Sequence, residues 1–383
     1  MPPQPPRTPP PPRSPGGPAP APPRPAGRQA FEAFELASVL SHYDLGVIEE
    51  VQEFPRGSRR APKILLKTDA GEYLLKRRAP SAYDREKAAF THGIQVHLAN
   101  RGFPLPRLVT TRSQERTMLR LSEHTYEVFQ YVRGDPYDAS LEATADAGRT
   151  LGSFHGLLKG YASNYTPPRG TYHASRSVME SFARLRAALE AHAAAAGPPA
   201  GDALERMSPL DRDPQRLTAH LVAKYREAVA ACEGLGIKRW PDQVIHADWH
   251  GGNMLFRAQR VVAVIDYDTA RFAPRVVDAA NGALQFSMGG DGPDPTRWED
   301  GIEEGRFAAF LSGYDEAEND VLTSAELQAI PFLMIEALLA ESVLPVARTG
   351  FFAQMNGQAF LSMIRRKVEW VEANAARLAS SVE

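Results

Sequence analysis

Short runs of alternating apolar and polar residues occupy the first third of the chain, a pattern typical of half-buried strands. Turn-forming residues separate some of these runs, at 55–58 (PRGS) and 69–71 (DAG). The five predicted strands cover residues 46–54, 63–68, 72–77, 117–121 and 125–131. Apolar residues at helical spacing predict helices over 31–43 and 81–98. We therefore expect a small antiparallel sheet with one main helix.

Helical periodicity dominates the rest of the chain. The predicted helices cover residues 140–159, 177–235 with an irregular stretch at 193–214, 275–286, 298–314 and 324–377. One short apolar run, VVAVI at 261–265, indicates a buried strand. The apolar stretch 327–347 is interrupted by Glu336, Glu341 and two prolines, so it predicts buried helices rather than a membrane span. A small sheet followed by a mostly helical part makes the expected fold class α+β.

Residues 1–29 differ in composition from the rest, because they hold 14 of the 32 prolines, four arginines and no acidic residue. With so little apolar surface to bury, this segment is expected to be a disordered or polyproline-like tail. The chain of 383 residues is 43% apolar, enough for a sizeable core, and its net charge of −2 gives no support for a nucleic-acid partner. The single cysteine, Cys232, excludes an intrachain disulfide and fits a reducing cytoplasm.

The candidate chemistry lies on one stretch, where His246, Asp248 and Asn253 form the pattern H-x-D-x-x-x-x-N and Asp266 follows a predicted strand. Phosphoryl transfer requires an Asp that orients the attacking hydroxyl, and an Asn and a second Asp that hold Mg²⁺ on the phosphates. A short loop can aim Asp248 and Asn253 into one cleft, to which the strand returns Asp266. A zinc cluster of His246, Asp248 and His250 is the alternative, but it leaves the spacing of the Asn and the second Asp unexplained.

This stretch resembles the catalytic and metal-binding segments of the aminoglycoside phosphotransferase and choline kinase-like superfamily. The usual motifs there, H-G-D-x-H-x-x-N and I-D-[FYW]-[DE], stand here as HADWHGGN (246–253) and IDYD (265–268). Ala247 replaces the usual Gly and Gly251 replaces the usual Pro, and since both residues are small the loop is expected to be preserved. The resemblance covers roughly residues 35–375 and implies a protein-kinase-like, two-lobed fold.

The resemblance implies a nucleotide-binding N-lobe at residues 30–132 and a helical C-lobe at 133–383 that carries the catalytic loop, metal site and substrate site. Lys76, at the end of the third strand, is the expected ligand of the α- and β-phosphates, although the two arginines after it leave the assignment open. Glu86 belongs to an R-E pair on the next helix and is expected to hold Lys76 in an ion pair.

The nucleotide site should be completed by backbone groups. The sequence has no G-x-G-x-x-G loop, so Gly57 and Ser58 are the expected amide donors to phosphate. Gln130, Tyr131 and Val132 are expected to form the hinge between the lobes and to contact adenine through their backbone.

Three further residues are expected to support the site. His246 should be buried and hydrogen-bond backbone around the loop. Asp268 either assists metal or substrate binding or satisfies backbone donors nearby. Asp278 lies in the first turn of the next predicted helix, where its charge suits the helix dipole, and is expected to brace the active-site loops.

These features imply an ATP- and Mg²⁺-dependent kinase for a hydroxyl of a small molecule of the amino acid, amino alcohol or aminoglycoside class. The chain looks most like type II homoserine kinases, bacterial stress kinases and spore-coat kinase-like proteins. The alternatives are a kinase for protein Ser/Thr and an ATP-binding regulatory protein with little turnover. No membrane partner is expected, and the oligomeric state stays open. Asp268 and four acidic residues between 299 and 304 either receive a cationic amine of the acceptor or form a solvated helix face.

Overall fold

The computed structural model describes residues 29–54, 61–78, 85–165, 170–197, 199, 202–290, 292, 294–317 and 321–381. The proline-rich tail up to residue 28 lies outside the described residues, and so do Gly57 and Ser58. The expectations for these segments therefore stay predictions.

Six strands form one antiparallel sheet in the first part of the chain. They are Ile48–Glu53 (β1), Lys63–Thr68 (β2), Gly71–Arg78 (β3), Leu108–Val109 (β4), Leu119–Leu121 (β5) and His124–Gln130 (β6). Their order is β1-β2-β3-β6-β4, and β5 also pairs with β6. All five predicted strands are present, whereas the two-residue strand β4 was not predicted. Two helices accompany the sheet, Ala33–Leu40 (α1) and Arg85–Ala99 (α2).

The rest of the described chain is mostly helical, which confirms the α+β class. Its helices are Leu141–Leu158 (α3), Arg176–Ala196 (α4), Ala203–Arg206 (α5), Pro214–Leu235 (α6), Val276–Ser287 (α7), Glu304–Glu316 (α8), Ser324–Thr349 (α9), Gly357–Ala373 (α10) and Ala375–Ser380 (α11). Its strands form two-stranded ladders: Asp242–Ile245 (β7), Met254–Arg257 (β8), Arg260–Val264 (β9), Arg271–Pro274 (β10), Phe351–Phe352 (β11) and Met355–Asn356 (β12).

Strand β3 divides its side chains between the two faces of the sheet, because successive residues of a strand point in opposite directions. Leu75 is fully buried in the core under α1. Arg77 lies on the same face and pairs with Glu35 of α1 at 2.7 Å. Lys76 and Arg78 occupy the other face and point toward the helical part of the protein.

Helix α9 is the longest described helix and lies in the core of the helical part, against α4, α6, α7 and α10. The sequence predicted several helices here, but Pro331 and Pro345 both lie inside one continuous helix. Among the described residues, α9 alone is long and apolar enough to cross a membrane, and 78% of its most apolar window is buried inside the protein. Such burial all round is typical of a core helix, which agrees with the prediction of buried structure.

Short ladders bring the two motif segments together. Strand β7 ends at Ile245, which pairs with Arg271 of β10. The hairpin β8–β9 carries the chain from Asn253 back to Asp266, and the amide of Ile265 donates to the carbonyl of Asn253 at 2.9 Å. The H-x-D-x-x-x-x-N loop and the I-D-Y-D segment therefore lie side by side.

Candidate active site

The loop that carries Asp248 is held by a buried carboxylate. Asp278, in the first turn of α7, is fully buried and accepts hydrogen bonds from the amides of His246 (2.6 Å) and Ala247 (2.8 Å). His155 of α3 lies beside the same carboxylate, with Nε2 at 3.4 Å, and its Nδ1 is 2.7 Å from the Tyr314 hydroxyl. Asp278 thus fixes the start of the loop to two helices.

Ala247 explains why glycine is usual at its position in the motif. Its φ of 62° lies in the left-handed region, which costs residues with a Cβ about 1–2 kcal/mol.

We expect Ala247→Gly to raise the free energy of unfolding by about 0.5–1 kcal/mol. This is the gain from relieving the strain less the larger backbone entropy of glycine in the unfolded chain. Denaturant unfolding measures this change. Ala263→Gly, in buried strand β9, is the control and should lower stability, and a loss of stability in Ala247→Gly would contradict the strain.

His246 is fully buried, as predicted, but its ring is held mainly by packing. The rings of Phe154, Trp249 and Tyr267 surround it, with centroid distances of 5.1 to 6.0 Å. Neither ring nitrogen has a hydrogen-bond partner of normal geometry among the described residues. Burial lowers the pKa of His246 against the opposing pull of nearby carboxylates, which favours a neutral ring. The polar contacts of His246 run through its backbone instead, to Asp278 and Thr269, contrary to the predicted ring contact.

Asp248 is positioned by its own loop. The Asn253 side-chain amide donates to Asp248 Oδ2 at 2.7 Å and to the Asp248 carbonyl at 3.0 Å. His250 accepts a hydrogen bond from the Gly252 amide at Nδ1, which leaves Nε2 to carry the proton 3.5 Å from Asp248 Oδ1. Burial opposes ionisation of Asp248, but the interactions with His250 and Asn253 outweigh it and hold its pKa below the usual value. Asp248 is therefore an ionised carboxylate in the cleft.

Asn253 and Asp266 supply oxygen atoms beside Asp248. No described residue donates a hydrogen bond to Asn253 Oδ1, since only the Asn253 amide nitrogen is engaged. Asp266 ends the β9 hairpin in the left-handed region, at φ 66°, and is exposed. Amide and carboxylate oxygens are the hard donors that Mg²⁺ prefers, so this pair fits such an ion.

The cations of β3 meet Asp268 rather than Glu86. Lys76 Nζ lies 3.7 Å from Asp268, and Arg78 Nη2 donates to the same carboxylate at 2.9 Å. The predicted ion pair between Lys76 and Glu86 is not formed, because Lys76 points across to the I-D-Y-D segment while Glu86 is exposed in the first turn of α2. Asp268 therefore links the sheet to the helical part instead of satisfying backbone donors.

Glu127 is a buried carboxylate of the site that sequence reasoning missed. It lies opposite Lys76 in the β3–β6 ladder, is fully buried, and is 2.5 Å from Arg78 Nε and 2.7 Å from His92 Nε2. Burial would raise its pKa, but hydrogen bonding to His92 and the charge of Arg78 outweigh burial and lower the pKa to about 2. The available signal was an acidic residue inside a predicted strand, since a buried carboxylate requires a partner.

The predicted hinge is partly committed to the sheet. The Gln130 amide donates to the Arg107 carbonyl and the Tyr131 amide to the Glu72 carbonyl, both at 2.8 Å. Because the Tyr131 amide bonds to Glu72, the neighbouring pair Gln130–Tyr73 is a non-hydrogen-bonded pair of the antiparallel ladder. The backbone groups of Gln130, including its carbonyl, therefore point away from β3. The Val132 amide donates to no described residue. Of the three hinge residues, Gln130 (C=O) and Val132 (N–H) thus offer backbone groups to a ligand.

Two of the four acidic residues between 299 and 304 have carboxylates paired with the last helices, and a third is bonded through its backbone. Asp300 pairs with Arg366, Glu304 pairs with Arg377, and Lys367 donates to the Glu299 carbonyl. These contacts favour a structural surface over an amine-binding site.

Glu341 of α9 is an acidic residue whose pKa is raised in part by the charge of Asp248. The sequence had singled it out only as an interruption of an apolar run. It reaches solvent, although protein closely surrounds it, and accepts a hydrogen bond from Gln285 Nε2 at 2.6 Å. Burial raises the pKa of Glu341 to about 7, with Asp248 adding to the shift.

The small antiparallel sheet and the mostly helical part, which meet where Lys76 and Arg78 contact Asp268, define a phosphotransferase with a protein-kinase-like fold. The profile of the phosphotransferase enzyme family (APH) matches residues 50–318, and the chain belongs to this family. A search of curated proteins found no significant match.

Solved structures of related enzymes share the fold at low sequence identity. An aminoglycoside phosphotransferase from Alicyclobacillus acidocaldarius is 21% identical, with a TM-score of 0.62 over 90% of this chain and 96% of that one. An amicoumacin kinase in complex with AMP-PNP and Ca²⁺ is 16% identical, with a TM-score of 0.61 over 89% and 93%. A microcompartment-associated aminopropanol kinase is 15% identical, with a TM-score of 0.61 over 91% and 99%.

Proposed function

We propose that this phosphotransferase moves the γ-phosphoryl group of ATP, with Mg²⁺, to a hydroxyl of an amine-bearing small molecule. The observation that carries the proposal is the convergence of Asp248, Asn253 and Asp266 in one cleft, where Asn253 bonds Asp248 directly. This is the residue set that phosphoryl transfer to a hydroxyl requires.

Asp248 would orient the acceptor and take its proton. Its Oδ2 is occupied by Asn253, so Oδ1, beside His250, is the oxygen that faces an incoming hydroxyl. Because Asp248 is ionised, it can accept a hydrogen bond from the hydroxyl before transfer and the proton during transfer.

The nucleotide would lie between the hinge and the cations of β3. The Gln130 carbonyl and the Val132 amide suit the adenine edge, and Lys76 suits the phosphates. Asn253 and Asp266 would hold Mg²⁺, which neutralises charge on the phosphates when bound. The related amicoumacin kinase binds AMP-PNP with a divalent ion, which supports this arrangement.

The acceptor would be recognised by Glu341 and Gln285, which hydrogen-bond each other, with Glu341 near enough to Asp248 to be affected by its charge. A carboxylate there suits a cationic amine on the same molecule as the reacting hydroxyl. The structural neighbours named for aminoglycosides and aminopropanol support an acceptor of this chemistry, such as an amino alcohol, a hydroxy amino acid or an aminoglycoside.

The KM for an amine-bearing acceptor is expected to fall about tenfold between about pH 6 and pH 8. With a pKa of about 7, Glu341 is mostly neutral at the lower pH and mostly a carboxylate at the higher one. Steady-state kinetics of Glu341→Gln should give a high KM with no such pH dependence. Titration of His250 would act on kcat rather than on KM, and it should occur at lower pH in Glu341→Gln because the Glu341 charge helps to raise the pKa of His250. Glu304→Gln, whose carboxylate is tied to Arg377, is the matched control, and an equal rise of KM in that variant would refute the assignment.

A panel of acceptors with ATP and Mg²⁺ tests the function itself. Phosphate transfer to at least one amine-bearing alcohol is the expected result. Transfer to a protein but to no small molecule would favour the protein-kinase alternative. A thermal-shift titration that showed no response to ATP with Mg²⁺ would overturn the nucleotide site.

A further inference from the structure

Two neighbouring arginines on β3 have different surroundings. Arg77 lies on the α1 face of the sheet, where Glu35 takes up its charge. Arg78 shares the opposite face with Lys76, and both cations meet Asp268 in the cleft. The chain therefore brings a second cation to the place where the phosphate-binding lysine is expected.

The guanidinium of Arg78 is held by two hydrogen bonds and retains a donor that bonds no described residue. Its Nε donates to Glu127 at 2.5 Å and its Nη2 to Asp268 at 2.9 Å, while only 11% of its side chain is exposed. Its third nitrogen, Nη1, has no hydrogen-bond partner among the described residues. Glu127 also has His92 as a partner, and Asp268 also has Lys76, so neither carboxylate depends on Arg78 alone.

The position of Arg78 along β3 indicates which part of a nucleotide it reaches. Tyr73 pairs with Gln130 at the hinge, and Lys76 follows three residues later. Two more residues of strand carry Arg78 about 7 Å further from the hinge than Lys76. At that distance it contacts Asp268, two residues beyond Asp266 of the proposed metal site.

We propose that Arg78 binds the terminal phosphates of the nucleotide, while Lys76 binds those nearer to adenine. Asp268 is the counter-ion that holds both cations until phosphate displaces it, and Glu127 keeps the guanidinium aimed into the cleft. This inference rests on the proposed nucleotide site. A guanidinium suits the role because it presents several donors in a fixed plane to phosphate oxygens.

Affinities for ATP, ADP and AMP test the inference, measured by calorimetry on the full chain with Mg²⁺. Arg78→Gln should weaken ATP and ADP binding about 10- to 100-fold, because each loses a hydrogen bond between the guanidinium and a terminal phosphate. AMP lacks these phosphates, so its binding should be unchanged. Arg78→Lys should restore part of the loss. Arg77→Gln is the matched control on the opposite face and should leave all three affinities unchanged.

A purely structural role for Arg78 gives a different result. In that case Arg78→Gln would weaken the binding of ATP and of AMP equally, or would change neither affinity. Either result would show that the inference is wrong. Arg78→Gln leaves Glu127 with one partner and could unfold for that reason. In that case the comparison is made between Glu127→Gln and the double variant that carries both Glu127→Gln and Arg78→Gln. ATP binding by that double variant equal to binding by Glu127→Gln would also overturn the inference. Failure of the unaltered protein to bind any nucleotide would refute the proposed function instead.

Discussion

Replacing Asp248 by Asn is expected to lower phosphoryl transfer by about 10²- to 10⁴-fold while nucleotide affinity stays unchanged. The substitution keeps the size of the side chain and lets it still bond the Asn253 amide through its oxygen. It removes the negative charge that accepts the proton of the acceptor hydroxyl. Because the pKa of Asp248 lies below its usual value, the carboxylate is ionised at neutral pH and its loss should be felt throughout that range.

The loss should appear in kcat, with little change in the affinity for ATP. Single-turnover assays with an acceptor found in the panel separate chemistry from binding. Asp242→Asn is a suitable control, since Asp242 is an exposed carboxylate at the start of the same strand, β7. Full transfer by Asp248→Asn would exclude Asp248 as the orienting base.

Asp278→Ala is expected to lower the free energy of unfolding by roughly 2–5 kcal/mol and to remove most activity. Two amides, the buried one of His246 and the partly buried one of Ala247, lose the carboxylate that accepts their hydrogen bonds. Leaving a buried donor unsatisfied costs about 1–3 kcal/mol each. The same change releases the start of the loop that aims Asp248, so activity should fall even where the protein is still folded.

Denaturant unfolding and activity at low temperature measure the two effects separately. Ser287→Ala is the matched control, because Ser287 is also buried on α7 but donates only within its own helix. It should cost less than about 1 kcal/mol and leave activity intact. If Asp278→Ala were as stable as Ser287→Ala, the carboxylate would not be the brace of the loop.

Much of the fold could be predicted because its signals are local. Alternation along β1, β2, β3, β5 and β6 marked each strand without reference to any partner. Prolines misled the prediction for α9, since local rules end a helix at proline while tertiary packing carries this one through Pro331 and Pro345.

The chemical core of the site was also determined by sequence. Asp248, Asn253 and Asp266 lie on one loop and one hairpin, so their spacing nearly fixes their relation in space. The left-handed backbone at Ala247 was not predicted, although the glycine that is usual at that position is a signal for it.

What only the tertiary structure decided concerns partners far apart in the chain. Lys76 was expected to pair with Glu86 on the next helix, but it meets Asp268, and the buried Glu127 takes Arg78. Glu341 lies near enough to Asp248 to be affected by its charge, and α9, which carries Glu341, packs against α7. The carboxylate that a cation meets depends on the face of the strand that carries the cation and on how the two parts of the protein pack. The spacing of residues in the sequence does not encode the distances between such side chains. The sequence by itself therefore determined the residues of the candidate reaction centre, and the tertiary structure decided the charges that surround them.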